Sequence, residues 1–141
     1  MTKKEIRDLD HLWADVVKTL VNYRCEHCGL MGGRVEAAHV VGRRHRTTRW
    51  GALVNGTWDL AGHCLCHRCH QQYDEHGPME LDILNDTVGV DRKAALQFMA
   101  RNSVAKYQQY SDIKETLESI RDNVIEYRVD KVVTDVIKTI Q

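Results

Sequence analysis

Large aromatic side chains are scarce here: one phenylalanine, three tryptophans and five tyrosines in 141 residues. A chain of this length makes one domain with room for an appended helix. So aromatic-poor a chain buries only a modest core, so packing alone is not expected to hold it and a staple is needed. Long apolar runs are also missing; none approaches the ~20 residues that span a bilayer. The opening MTKKEIRDLDHLW is charged and has no apolar stretch of the kind a secretory leader carries. The expectation is a cytoplasmic protein with reduced thiols and no membrane partner. Net charge is absent too, with 20 basic residues against 20 acidic ones. That sum argues against a chain basic all over, but the charge is unevenly placed. Arg34, Arg43, Arg44, Arg46 and Arg49 lie close together, opposed locally only by Glu36, and beyond Tyr73 the chain is net acidic. There is no internal repeat and no low-complexity tract.

What is present is cysteine in pairs. Cys25-x-x-Cys28 and Cys66-x-x-Cys69 are two knuckles of identical spacing. Each short loop puts two sulfurs on one side of an ion, and two such pairs predict a four-thiolate tetrahedral site. Soft sulfur ligands and a closed shell favour structural Zn²⁺. Cys64 is expected to be a spare thiol, and His27, His63 and His67 to be surface residues or neighbours of the site.

The apolar spacing Ile6, Leu9, Trp13, Val16, Val17, Leu20 predicts an amphipathic helix. RVEAAHVV reads as a strand. The stretch GRRHRTTRWGALVNGTWDLAGH reads as loop, with room for a second short strand. CLCHRCHQQYDEH reads as a knuckle running into a short helix that Gly77-Pro78 stops. Residues 79–107 read as helical with a break at NDTVG. A last helix starts at Ser111 or Asp112, where Asp112 and Glu115 resemble a capping box. Its apolar positions run Ile113, Leu117, Ile120, Val124, Tyr127, then Val129, Val133, Val136, Ile140. That rhythm suits either a helix packed on its own domain or a coiled-coil arm of about 40 Å that makes a homodimer.

His39, between the strand pattern and the arginines, is open to three readings: a core histidine, a metal ligand, or a base with a pKa suited to taking a proton at neutral pH. His70 directly follows the last knuckle cysteine. Asp74 lies one helical turn on from it. His76 sits at the helix end, where the dipole would also stabilise it as a plain cap. Asn55-Gly56 is equally a plain turn. The arginines are either a solvated run or phosphate contacts, and Trp50 is expected as a hydrophobic plug beneath their loop.

The motifs CEHCG, EAAHVVGRR, RW with NG soon after, CHRCH and HGP together resemble the HNH (ββα-metal) nucleases. AHVVGRRHRTTRW joined to a second Cys-x-x-Cys resembles, more narrowly, phage recombination nucleases of the NinG (Rap) type. The resemblance spans roughly residues 10–100. It implies an α+β fold: a zinc-stapled ββα-metal core, a short hairpin plus helix, with flanking helices and a long C-terminal helix. Residues 1–110 would be the nuclease domain and 111–141 the C-terminal helix. The implied activity is metal-dependent hydrolysis of DNA phosphodiester bonds in branched or recombination intermediates, in a bacteriophage host's cytoplasm. By position His39 would be the base and Asn55 the asparagine that orients its loop, with Asp59 as alternative. His70, with His76 or Asp74, would hold a catalytic Mg²⁺ or Mn²⁺, and Arg43, Arg44, Arg46 and Arg49 would grip DNA phosphates. One departure stands out: the residue before the base is Ala38, which cannot bind metal. Nicking of linear duplex, a non-catalytic zinc DNA-binding module and an adaptor built on the last helix are the alternatives.

Overall fold

The computed structural model describes residues 1–31, 34–42, 44, 45, 47–102 and 109–124. Along the described chain run α1 (Lys3–Thr19), β1 (Val35–His39), β2 (Ala52–Val54), β3 (Thr57–Asp59), β4 (Gly62–Cys66), α2 (His67–Asp74), α3 (Glu80–Asp86), α4 (Val90–Asn102) and α5 (Tyr110–Asp122). The class is α+β, with two small antiparallel sheets, β1–β4 and β2–β3.

α1 starts where Thr2 and Glu5 cap each other. The Glu5 N–H donates to Thr2 Oγ1 at 3.1 Å, and the Thr2 N–H donates to Glu5 Oε1 at 2.8 Å. This box satisfies two N–H groups that would otherwise lack helical partners. The three-four spacing then buries Leu9, Trp13, Val16 and Val17. They pack with Trp50, Leu60, Cys64, Ile113 and Leu117 as one of two apolar clusters.

β1 pairs with β4 in a register that sets Ala38 opposite His63 and His39 opposite Gly62. Side chains alternate across a strand, and directly paired residues share a face. Val35, Ala37, His39, Gly62, Cys64 and Cys66 therefore form one face of the hairpin, and Glu36, Ala38, His63 and Leu65 the other. The first face receives α1 and the second α2, whose buried Tyr73 packs in the other cluster with Ala38, Leu65 and Ile83. Gly62 is small for a reason: a Cβ there would lie 2.4 Å from Trp13 Cζ2.

The region expected as loop contains a hairpin. Asn55 (φ 53°) and Gly56 (φ 80°) take the left-handed conformation between β2 and β3, where Val54 faces Thr57. Two left-handed residues are what a two-residue hairpin loop needs for its twist to match the strands. α5 begins at Tyr110, with Gln109 as an N-cap lacking a side-chain bond, so the Asp112–Glu115 box is not used. Ile113 and Leu117 are buried beside Leu9 and Trp13, so residues 110–122 belong to the packed body. The heptad positions Tyr127 to Ile140 lie outside the described residues. Among the described residues, no helix is long and apolar enough to cross a membrane.

Candidate metal centre and the histidines around it

The first knuckle is a tight turn closing α1 onto the hairpin. The Cys25 N–H donates to Leu30 O and the Gly29 N–H to Cys25 O, both at 3.0 Å. Glu26 docks this turn on β4: its N–H donates to Cys64 O at 2.9 Å, and its Oε2 accepts from the Cys64 N–H at 2.7 Å. The second knuckle is the junction of β4 and α2, with Cys66 as N-cap and Cys69 in the first turn.

All four sulfurs of Cys25, Cys28, Cys66 and Cys69 lie within 4.8 Å of one another, and Cys28 Sγ is 3.6 Å from Cys66 Sγ. A tetrahedron with Zn–S bonds of about 2.3 Å has edges of about 3.8 Å, so the spacing fits a metal ion such as zinc. The thiols are not equivalent. Burial disfavours the Cys25 thiolate, yet N–H groups of Cys28, Cys66 and His27 outweigh it and bring the pKa down to about 6. Burial, followed by the neighbouring sulfurs, pushes Cys69 up. Cys64 stays outside the cluster; it is fully buried under α1, and burial lifts its pKa to about 12. His27 is held by Asp86 at 2.7 Å, which ties the knuckle to α3.

His39 lies at the end of β1 on the α1 face. Its ring stacks on Trp13, with centroids 4.1 Å apart and planes 14° apart. Its Nε2 is buried. Trp13 is held in turn by Nε1 donating to Leu60 O at 2.8 Å. His70 projects from α2 to the opposite face. Its Nδ1 is 2.9 Å from Glu36 Oε1 and its Nε2 is 3.2 Å from Asp74 Oδ2. The Glu36 carboxyl loses some acidity to burial, but His70 and then His67 outweigh that and hold its pKa down.

The remaining expected site residues are not gathered with these. His76 follows the end of α2 with φ 53° and pairs with Glu80 at 3.2 Å. Of the three expected helix ligands, His70 and Asp74 lie together, 3.2 Å apart, while His76 pairs with Glu80 instead; among the described residues, the four cysteines are the group of three or more ligating atoms drawn together closely. Asn55 is exposed at the tip of the β2–β3 hairpin, doing the work of a turn residue. Asp59 ends β3 and is buried. Its Oδ1 accepts from the Ala61 N–H at 2.9 Å while Arg92 grips it at 2.8 and 2.9 Å. Ala61 O then accepts from the Val40 N–H at 3.0 Å.

Arg49 is held by Asp10 in a two-pronged pair at 2.9 and 2.6 Å, so two of its guanidinium nitrogens have an internal partner. The buried Trp50 is the expected plug, and its Nε1 donates to the same Asp10 at 2.8 Å. Burial works against the Asp10 carboxylate, but Arg49 and Trp50 outweigh it and lower its pKa. Arg44 is exposed, and its Nε lies 3.4 Å from His45 Nε2. Arg43 and Arg46 lie outside the described residues.

His63 is the residue that sequence reasoning misplaced. It was expected at the surface or as a neighbour of the metal site, and it is fully buried on the α2 face. Its Nδ1 is 3.0 Å from Thr87 Oγ1, its ring meets Tyr73 edge-on at 4.6 Å, and its Nε2 has no hydrogen-bond partner. Burial, then the charge of His70 and after it those of Lys93 and His39, lower its pKa to about 3. Its pairing with Ala38 could have signalled this, had the register been known.

Comparison with protein-family models, curated proteins and solved structures finds no match to this chain.

Proposed function

We propose that the protein is a metal-dependent DNA endonuclease of the HNH kind. The observation that carries this reading is the four-sulfur clip. It fastens a β1–β4 hairpin to the helix that follows it, with His39 at the end of the first strand. In this reading His39 takes the proton from a water that attacks the phosphodiester phosphorus. The leaving oxygen departs to give a 5′-phosphate and a 3′-hydroxyl. Stacking on Trp13 fixes the plane of the imidazole, which serves a base that must meet its water in one orientation. A divalent ion, Mg²⁺ or Mn²⁺, would neutralise charge on the phosphate.

Branched or recombination intermediates are the proposed substrates. A homodimer suits them because two strands must be cut symmetrically. Arg43, Arg44 and Arg46 are the proposed phosphate contacts.

The test is a panel of four-way junction, flap, single strand and linear duplex with Mg²⁺ or Mn²⁺, comparing wild type with His39→Ala. Metal-dependent cutting lost in His39→Ala is expected. Cutting that survives the substitution refutes the assignment of the base.

A second reading, a non-catalytic zinc module that binds DNA, is favoured by Ala38 and by the carboxylate partners of His70, His76 and Arg49. Salt-sensitive binding without cleavage in any divalent ion would select it.

A further inference from the structure

We propose that Cys28 is an oxidation site: peroxide enters at its exposed sulfur, a disulfide with Cys66 follows, and the four-sulfur clip lets go of its metal ion.

The four sulfurs are not equally reachable. Cys25, Cys66 and Cys69 are buried, while Cys28 is exposed. It opens on a cleft that Arg24, Glu26, His27, Gly29 and Asp86 also line. The carboxylates there are engaged: Asp86 holds His27 at 2.7 Å, and Glu26 accepts from the Cys64 N–H at 2.7 Å. The Arg24 guanidinium lies over the turn, since a Cβ at Gly29, the residue after Cys28, would be 3.2 Å from its Nη2. A cation in that place stabilises the hydroxide that peroxide sheds on attack. A metal-bound cysteine is already a thiolate, and exposed thiolates beside a second sulfur are the ones that oxidise reversibly. The second sulfur is Cys66 Sγ, 3.6 Å from Cys28 Sγ. Closing that gap to the roughly 2 Å of a disulfide asks for about 1.5 Å of movement.

The Cys28 thiolate attacks one oxygen of the peroxide. The O–O bond breaks, the sulfur is left as a sulfenic acid, and the departing hydroxide takes a proton to become water. The Cys66 thiolate then attacks the Cys28 sulfur. The S–S bond forms, the S–O bond breaks, and a second hydroxide is protonated to water. Two thiolates, one H₂O₂ and two protons thus give one disulfide and two waters, with two electrons passing from sulfur to peroxide. Cys25 and Cys69 remain, half of a closed shell and too few to retain a structural ion. Cys64 takes no part, because it lies outside the cluster and is fully buried under α1. The clip joins the first knuckle to the junction of β4 and α2, so its loss frees the hairpin from the helix. This site rests on zinc in the clip and not on the nuclease reading.

The test is a peroxide titration of the zinc-loaded full chain. Released zinc is read with a colorimetric chelator. The disulfide is read by tandem mass spectrometry of tryptic peptides after the free thiols are blocked; trypsin cuts after Arg68, between Cys66 and Cys69. One zinc released per peroxide consumed is expected, with Cys28–Cys66 as the first disulfide and with zinc rebound once a dithiol reductant is added. Cys64→Ser should release zinc at the wild-type rate. Arg24→Gln should load zinc fully and release it several-fold more slowly. Zinc retained by the wild type in millimolar peroxide overturns the proposal. So does a first disulfide other than Cys28–Cys66, or first oxidation at Cys64. Arg24→Gln oxidised at the wild-type rate overturns the part given to Arg24. Zinc release is read without DNA, so its outcome is independent of whether the chain cuts DNA.

Discussion

Replacing Gly62 with alanine should disturb the stack beneath His39. The added Cβ would lie 2.4 Å from Trp13 Cζ2 and 3.1 Å from Val17 Cγ2. Carbon atoms in contact sit at roughly 3.5–4.0 Å, so the indole must retreat by about 1 Å or more. It has little room, since Trp13 is 2% exposed and its Nε1 is bonded to Leu60 O. Overpacking of this kind costs about 1–3 kcal/mol. Losing the buried indole bond as well would add about 1–3 kcal/mol. The expected total is about 2–6 kcal/mol, read as a lowered urea midpoint of the zinc-loaded protein with an unchanged denaturant slope. A second arm isolates the cause: in a Trp13→Ala background, Gly62→Ala should cost within about 0.5 kcal/mol of nothing, because the clashing ring is gone. Gly62→Ala at wild-type stability would refute the reasoning. So would an equal cost in both backgrounds, since the effect would then not run through Trp13.

Three other outcomes are expected. Chelation of zinc, or Cys69→Ser, should unfold the hairpin and α2 together, whereas Cys64→Ser should keep one zinc per chain by metal analysis, since Cys64 lies outside the sulfur cluster. Asp10→Ala strips a partner from Arg49 and from the Trp50 indole at once; a loss of about 2–3 kcal/mol by denaturant melting is expected, from a half-buried charge and a buried donor left unmet. His63 also sets a pH dependence. Its folded pKa is about 3, against roughly 6.5 in an unfolded chain. Between those values the unfolded state holds one more proton, so stability is full above pH ~6.5 and falls as pH drops through that window. His63→Gln should remove one proton from the slope of stability against pH, measured by urea melts; an unchanged slope would place the effect elsewhere.

Much of this molecule was legible before any coordinates. The paired knuckles announced a four-sulfur site because spacing alone decides whether two sulfurs reach one ion. α1 and the break between α3 and α4 followed from periodicity and punctuation, which are local properties. Trp50 as a plug and Cys64 as a spare thiol were readable as well. The β2–β3 hairpin was carried by Asn55-Gly56 but obscured by strands of three residues each, too short for alternation to register.

What the tertiary structure decided concerns pairing between distant segments. Whether Arg49 faces a phosphate or Asp10 depends on where α1 lies, 39 positions away in the chain. Whether His70 meets His76 or Glu36 depends on the β1–β4 register and on the packing of α2 across it. The burial of His63 depends on the same register. Sequence by itself determined the cysteine staple, the helices and the strand that bears His39, because these arise from spacing along the chain. Only the fold decided which charges are satisfied internally and which face each histidine occupies, because one residue of register turns every side chain of a strand to the opposite side.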